Sequence, residues 1–137
     1  MEKFWRFAPW ISRISLVLPI ALFAFIGSKY LTDPVLTAAM DNITLGSPAA
    51  VTDMRVVGSL FLACGLITAF FLLSTQRLLA GLYFVLTIVV TLTLVRLSGY
   101  FVDGAVPTTA AKLKVELALL IIFTCGILFE RARLRRP

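Results

Sequence analysis

The sequence has no histidine and only two cysteines, and both shortages narrow the chemistry open to it. Histidine is the commonest metal ligand and the commonest general base near neutral pH. Cys64 and Cys125 both fall inside apolar runs, and neither their number nor their spacing indicates a metal site or a disulfide framework. We therefore predict no metal site and no cofactor, and two unpaired cysteines that behave as small apolar residues.

Charged residues are also scarce, at 15% of the chain against about 25% in a typical soluble domain. Hydrophobic residues make up 60%, and they are bunched into long runs instead of alternating with polar residues. Such bunching is typical of helices whose surface faces lipid. The sequence predicts a small integral membrane protein.

Four apolar segments predict four spanning helices, at about residues 14–31, 52–74, 78–97 and 111–130. A helix of about 18 residues rises about 27 Å, which is enough to cross the hydrocarbon core with little tilt. The predicted fold class is therefore all-α, a four-helix transmembrane bundle that forms a single membrane domain over residues 14–137. A basic, aromatic head, residues 1–13, is predicted to lie at the level of the lipid head groups.

A cleaved signal peptide is the competing interpretation of the first apolar run. The run stays bulky as far as Ile26 and ends at Lys29-Tyr30, as an interfacial anchor does, so we favour a retained helix.

Two further local signals predict helix starts. Asp33-Pro34 indicates a cap followed by a short surface helix, and Ser47-Pro48 indicates the start of the second span.

The cations are distributed unevenly about these spans. Those that fall on the side of the chain ends are Lys3, Arg6, Arg13, Arg77, Arg131, Arg133, Arg135 and Arg136. The other side receives four aspartates and only two lysines. Since cytoplasmic loops carry the excess of Lys and Arg, we predict a bacterial inner-membrane protein with both termini cytoplasmic and residues 32–51 outside.

Three charges, Arg55, Arg96 and Glu116, lie at or within the ends of apolar runs. Counting helix rise from Arg77 places Arg55 and Arg96 about 33 Å and about 28 Å away, and the same count puts Glu116 about 22 Å from Arg131. All three are thus predicted to lie in the outer part of the membrane. Tyr100 and Asp103 follow Arg96 by four and seven residues and would rim it if the helix continues past Gly99.

Small residues lie on the face behind Arg55. They are Gly58, Ser59, Gly65 and Ala69, and they predict close packing of this helix on a neighbour. Arg55, Arg96 and Glu116 then have two interpretations. The simpler is an ion-pair network that locks three helices together. The functional one is an outward-facing cavity with two guanidinium groups and a carboxylate, suited to planar anionic groups.

The patterns Arg55-x-x-Gly58-Ser59-Leu60-Phe61-Leu62-Ala63-Cys64-Gly65, Arg96-Leu97-Ser98-Gly99 with Asp103-Gly104, and Glu116-Leu117-Ala118-Leu119 resemble an uncharacterised bacterial family. This is domain-of-unknown-function family 4345, small four-helix membrane proteins, and the similarity runs from about residue 20 to the end. The resemblance implies four spans and an Arg/Arg/Glu set at these positions, but no established activity. More distantly, Gly27-Ser28-Lys29-Tyr30 resembles the DoxX-like membrane proteins, some of which are linked to redox or quinone-associated complexes.

The predicted function is that of a non-enzymatic binding or accessory protein that holds an anionic amphiphile, a lipid or a quinone-like ligand. Candidate partners are the bilayer, a second copy or another subunit of a membrane complex, and no nucleic acid. A small-molecule transporter is one alternative, but small four-helix exporters usually carry a carboxylate on the first span, which has none here. A lipid- or isoprenoid-modifying enzyme using Glu116 is another, although a carboxylate beside two arginines stays ionised and makes a poor general acid.

Overall fold

The computed structural model describes residues 8–102, 104 and 107–135, and these residues form helices joined by short connections. The elements are α1 (Ala8–Thr32), α2 (Pro34–Met40), α3 (Pro48–Leu72), a 3-10 turn (Thr75–Arg77), α4 (Leu78–Val102) and α5 (Pro107–Leu134). No strand occurs among the described residues. The all-α prediction is confirmed.

Three helical segments are long and apolar enough to cross a membrane, namely Pro9–Thr32, Pro48–Leu72 and Thr75–Val102. The length and composition of these helices are those of a membrane protein. The fifth helix, α5, differs from these three in its charge. Any 18 consecutive residues of α5 include at least three charged side chains, because acids or cations lie near both of its ends.

The short helix α2 begins at the cap that the sequence predicts. The Asp33 carboxylate accepts a hydrogen bond from the backbone N–H of Leu36 at 3.0 Å, and Pro34 occupies the first helical turn, where no backbone N–H is needed. The helix ends before Asn42, which adopts the left-handed conformation with φ 60°. The start of α3 is likewise capped by Ser47, whose hydroxyl accepts from the N–H of Ala50 at 3.2 Å. Both predicted helix starts are confirmed.

The helices extend beyond the apolar stretches at most of their ends. Residues 8–13 of the predicted head form the first turns of α1, while residues 1–7 lie outside the described residues. Likewise, α4 continues to Val102 and α5 already begins at Pro107. Polar residues can extend a helix wherever its backbone hydrogen bonds are made internally, whereas the apolar length measures only the part suited to lipid.

The chain divides into two compact units, which are described separately. The first unit comprises residues up to Leu16 and from Phe71 onwards, and the second comprises Val17–Phe70. The core of the first unit is a row of apolar side chains from three helices, Leu16, Leu78, Leu82, Val85, Val89, Phe123 and Ile127, all of which are buried. The antiparallel helices α4 and α5 provide all but one of them.

In the second unit, α1 and α3 approach each other closely at glycines. A Cβ atom added to Gly27 would lie 2.8 Å from the Gly58 carbonyl oxygen, so the two backbones meet there without intervening side chains. Farther along the same crossing, the rings of Phe23 and Phe61 lie 6.1 Å apart. Since lipid offers no hydrophobic driving force for helix association, this close backbone contact is what holds α1 to α3.

Candidate functional site

The packing of α4 against α5 brings two charges of opposite sign together. On α4 the buried residues recur every three or four positions as far as Thr93, and Arg96 lies one turn further on the same side. On α5 the buried row begins with Glu116. Because the two helices are antiparallel and joined by a short connection, the end of the first row meets the beginning of the second. We call Arg96 and Glu116 the outer pair.

The outer pair is a partly buried and incompletely bonded ion pair. The Nε atom of Arg96 donates to Oε1 of Glu116 at 2.8 Å. The side chain of Glu116 is only 11% exposed, whereas that of Arg96 is 29% exposed. The second carboxylate oxygen, Oε2, is buried and accepts no hydrogen bond within the described part of the chain.

The guanidinium of Arg96 also has unused hydrogen-bond donors. Among the described residues its one hydrogen-bond partner is Glu116, reached through Nε, which leaves the Nη donors without a protein acceptor there. A buried carboxylate oxygen and a partly exposed guanidinium, each with bonding capacity left over, are unusual in a purely structural pair, because native proteins normally satisfy buried polar atoms. A ligand that contacts both would need an acceptor for Arg96 and a donor for Glu116.

Tyr100 lies one turn beyond Arg96, since α4 continues through Gly99 to Val102. Its side chain is half-buried, and its ring contacts Phe101 edge-on at a centroid distance of 5.9 Å. Asp103, the other predicted rim residue, lies outside the described residues. The structure therefore places Tyr100 on the side of α4 that carries Arg96.

Arg55 belongs to the second unit, in the first two turns of α3, and its side chain is exposed. Its membership of an Arg/Arg/Glu set stays a prediction from residue counting. Of the small residues that follow it, Gly58 and Gly65 are buried and Ala69 is half-buried. Ser59 is exposed, and its hydroxyl donates to the carbonyl oxygen of Val56 at 2.7 Å.

A second polar cluster, which the sequence interpretation missed, lies at the opposite end of the first unit. Glu130, in the last turns of α5, is completely buried. Its Oε2 accepts a hydrogen bond from the Ser12 hydroxyl at 2.7 Å, and its Oε1 accepts from Nε of Arg133 at 3.0 Å and also from Nη2 of the same arginine. Both carboxylate oxygens are thus occupied, and the acid connects α5 to the first turns of α1.

The same cluster extends to the 3-10 turn through a second arginine. Nη2 of Arg133 donates to the carbonyl oxygen of Thr75 at 3.3 Å, and Nη2 of Arg13 donates to the Thr75 hydroxyl at 3.1 Å. We call these five residues the inner cluster: Ser12, Arg13, Thr75, Glu130 and Arg133. It ties together three segments that are far apart in sequence, the start of α1, the turn before α4 and the end of α5.

One spacing in the sequence does point to the inner cluster. Glu130 lies 14 residues after Glu116, and 14 residues complete almost four helical turns, so the two acids share one face of α5. An acid that continues a buried face is a sign of a buried partner. Among four neighbouring arginines, however, Glu130 fits a solvated charged tail equally well, so the spacing alone does not decide its role.

Both cysteines are free. Cys64 is half-buried on α3 and Cys125 is exposed on α5. Among the described residues no three acidic or cysteine side chains gather as metal ligands.

Comparison with known protein families decides the affiliation of the chain. The family model described as "Domain of unknown function (DUF4345)" matches residues 11–127, which is most of the chain. The chain belongs to the DUF4345 family. The match begins earlier than the predicted start near residue 20, and it ends before the basic residues of the C-terminus. Neither the comparison with curated proteins nor that with solved structures gave a match.

The DUF4345 match covers the two polar clusters unequally. Arg96 and Glu116 both lie inside residues 11–127, and so do Ser12, Arg13 and Thr75. Glu130 and Arg133 lie beyond that span. The outer pair therefore falls entirely within the region that defines the family, which makes it the candidate functional site of this chain.

Proposed function

We propose that this DUF4345 protein is a four-span protein of the bacterial inner membrane, with both termini cytoplasmic, that binds an anionic amphiphile at the outer pair. The single observation that carries the binding proposal is the unused hydrogen-bonding capacity of that pair. Arg96 keeps free Nη donors and Glu116 keeps a buried oxygen without a hydrogen bond among the described residues.

The two acids of α5 support its assignment as the fourth span. The 13 residues between Glu116 and Glu130 are uncharged, and both acids have an arginine partner, Arg96 and Arg133. The acids are 14 residues apart, or about 21 Å along the helix, so they lie towards opposite edges of a hydrocarbon core about 30 Å thick. A charge costs less near the edge than at the centre, and pairing lowers the cost further.

The chemistry of the pair defines the ligand class. A guanidinium with free Nη donors favours a planar or anionic oxygen group, such as a carboxylate, a phosphate or a quinone carbonyl. The neighbouring carboxylate oxygen favours a hydroxyl or ammonium donor on the same ligand. An amphiphile with a head group of this kind can keep its apolar tail beside the exposed apolar side chains of the same helix, such as Leu94 and Val95.

Reporter fusions test the topology. Alkaline phosphatase, which is active only outside the cytoplasm, should be active when inserted after Gly46 and inactive when fused after Pro137 or Gln76. A green fluorescent protein fused after Pro137 should fluoresce. The physical reason is the excess of arginine on the predicted cytoplasmic side. An active phosphatase after Pro137 would show that α5 does not cross the membrane and would overturn the four-span proposal.

Native mass spectrometry tests the binding. We expect the protein purified in a mild detergent to retain an amphiphile, and the double variant Arg96→Gln with Glu116→Gln to retain none. The double variant removes both charges together, which avoids leaving one buried charge without its partner. Glutamine keeps hydrogen-bonding groups in place, so the pair can remain structurally satisfied.

The matched control is Lys114→Gln, which removes an exposed cation two residues from Glu116 on the same helix. It should retain the amphiphile at the wild-type level. If the double variant folds and still holds the same molecule, or if the wild-type protein holds none, the outer pair is an ion pair between helices and not a binding site.

A further inference from the structure

The inner cluster contains more positive than negative charge, and one of its cations has no anionic partner among the residues that the structure describes. Glu130 is completely buried, and both of its oxygens are occupied by Ser12 and Arg133. Arg133 is thereby neutralised. Arg13 has no carboxylate partner within the described residues and donates through Nη2 to the neutral hydroxyl of Thr75. The cluster therefore holds two guanidinium groups against one carboxylate.

Arg13 also has a donor that is buried without an acceptor. Its Nε is inaccessible to solvent and makes no hydrogen bond to the described residues, although the residue as a whole is only half-buried. Leaving a buried donor of a charged group unsatisfied is costly, and native structures generally avoid it. Within the described part of the chain, Arg13 is thus contacted by Thr75 and the Trp10 ring, and its Nε has no acceptor there.

The position of Arg13 indicates where that acceptor comes from. Arg13 directly precedes the apolar run of α1, and its guanidinium carbon lies 5.4 Å from the ring centroid of Trp10, which is 58% exposed. Tryptophan beside arginine at the end of an apolar helix is typical of the head-group level of a membrane. The commonest anion at that level is phosphate, and arginine binds phosphate with two parallel hydrogen bonds.

We propose that the inner cluster binds a phosphate group at Arg13, with Arg133 and Thr75 beside it, the phosphate being carried by an anionic lipid head group or free in solution. Basic pockets between membrane helices on the cytoplasmic side are known to bind such head groups. This site is separate from the outer pair, and a test of one proposal does not decide the other.

Trp10 provides a reporter next to the site. The chain has two tryptophans, so Trp5→Phe leaves Trp10 as the one source of indole fluorescence. The protein is reconstituted in phosphatidylcholine, and phosphatidylglycerol brominated near the head group is titrated in. The comparison is the same titration with phosphatidylcholine that carries bromine at the same positions. We expect brominated phosphatidylglycerol to associate about fivefold more strongly than its phosphatidylcholine counterpart, the effect of one arginine contact to an anionic lipid.

Two variants show whether the lipid preference comes from the inner cluster or from the positive charge of the surface as a whole. Arg13→Gln should abolish the preference for phosphatidylglycerol. Arg135→Gln, which removes one exposed cation from the same end of the molecule, should keep it. If both variants lose the preference equally, the attraction belongs to the basic surface as a whole and the proposal is overturned.

The wild-type protein gives a test that does not depend on the folding of a variant. Diffuse attraction is screened by salt over about 8 Å at physiological ionic strength, whereas a direct contact inside the cluster is screened much less. A preference that persists in high salt supports the site, and one that vanishes overturns it.

Inorganic phosphate is then exchanged for chloride at matched ionic strength. If phosphate displaces the brominated lipid, the site also takes free phosphate, and if it does not, the source is the lipid. Equal quenching by both lipids with no effect of phosphate overturns the proposal.

Discussion

Replacing Glu130 with alanine should destabilise the protein by about 3–5 kcal/mol, the cost typical of removing one partner of a buried ion pair. The side chain is completely buried, so its removal leaves a polar space in the interior of the first unit. Arg133 would lose its carboxylate partner and, among the described residues, keep its bond to the Thr75 carbonyl oxygen, and Ser12 would lose its hydrogen bond to Glu130. The free energy of unfolding is measured by titrating the purified protein in mixed micelles with sodium dodecyl sulfate and following tryptophan fluorescence.

Two comparisons show whether the loss arises from the buried network. Ser12→Ala removes the donor to one carboxylate oxygen and should cost less, about 1–3 kcal/mol. Asp53→Ala removes an exposed acid from α3 and should change the stability by no more than about 0.5 kcal/mol. A Glu130→Ala protein as stable as Asp53→Ala would show that the inner cluster does not hold the first unit together.

The helix starts could be predicted from the sequence because their signals are local. The cap of α2 depends on Asp33 and its neighbours within three positions, and the cap of α3 depends in the same way on Ser47. In each case the side-chain oxygen accepts from the N–H three residues later, and a proline follows the cap. A signal of this kind needs no knowledge of what the helix packs against.

The contact between Arg96 and Glu116 could be predicted only in part from the sequence. Counting residues gives the depth of each charge, and the short connection between α4 and α5 forces the two helices to be antiparallel neighbours. What counting cannot give is the rotation of each helix about its axis. In the structure that rotation places Arg96 on the same side of α4 as the buried Thr93, and Glu116 at the start of the buried row of α5.

The inner cluster could not be derived in the same way. Ser12 and Glu130 are 118 positions apart, and Arg13 and Thr75 are 62 apart. No periodicity within one helix connects them. Moreover, Arg13 and Arg133 are among the cations on which the topology prediction rests. Counting them as evidence of sidedness gave no sign that they bind specific partners. Only the packing of α1, α4 and α5 shows which cations reach Glu130.

The row of small residues on α3 shows a similar limit. Gly58 and Gly65 face α1, while Ser59 is exposed although it is the next residue after Gly58. A step of one residue turns the helix by about 100°, which is enough to leave the contact face. Serine is tolerated outside the contact because its hydroxyl bonds to the carbonyl oxygen of Val56 in its own helix. Residue size alone does not distinguish these positions.

The contact of α1 with α3 leads to a prediction that compares two glycines of one helix face. A Cβ on Gly58 would lie 2.8 Å from the Cβ of Tyr30 and 2.9 Å from the carbonyl oxygen of Gly27, so α1 and α3 must separate to accept it. A Cβ on Gly65 would meet Phe23 at 3.4 Å, an ordinary van der Waals contact. Both positions are inside the same helix, so alanine gains about the same helix propensity at each, about 1 kcal/mol.

We therefore expect Gly65→Ala to be neutral or stabilising by up to about 1 kcal/mol, and Gly58→Ala to be less stable than Gly65→Ala by about 1–3 kcal/mol, the usual cost of overpacking. Each variant is fused to a fluorescent protein and heated, and size-exclusion chromatography then measures how much of it remains folded. The thermal midpoints of the variants are compared. Gly27→Ala should resemble Gly58→Ala, because its Cβ would meet the Gly58 carbonyl oxygen at 2.8 Å. The double variant should cost less than the sum of the two, since a single separation of the helices relieves both clashes. Equal midpoints for Gly58→Ala and Gly65→Ala would mean that α1 and α3 do not meet through their backbones at Gly27 and Gly58.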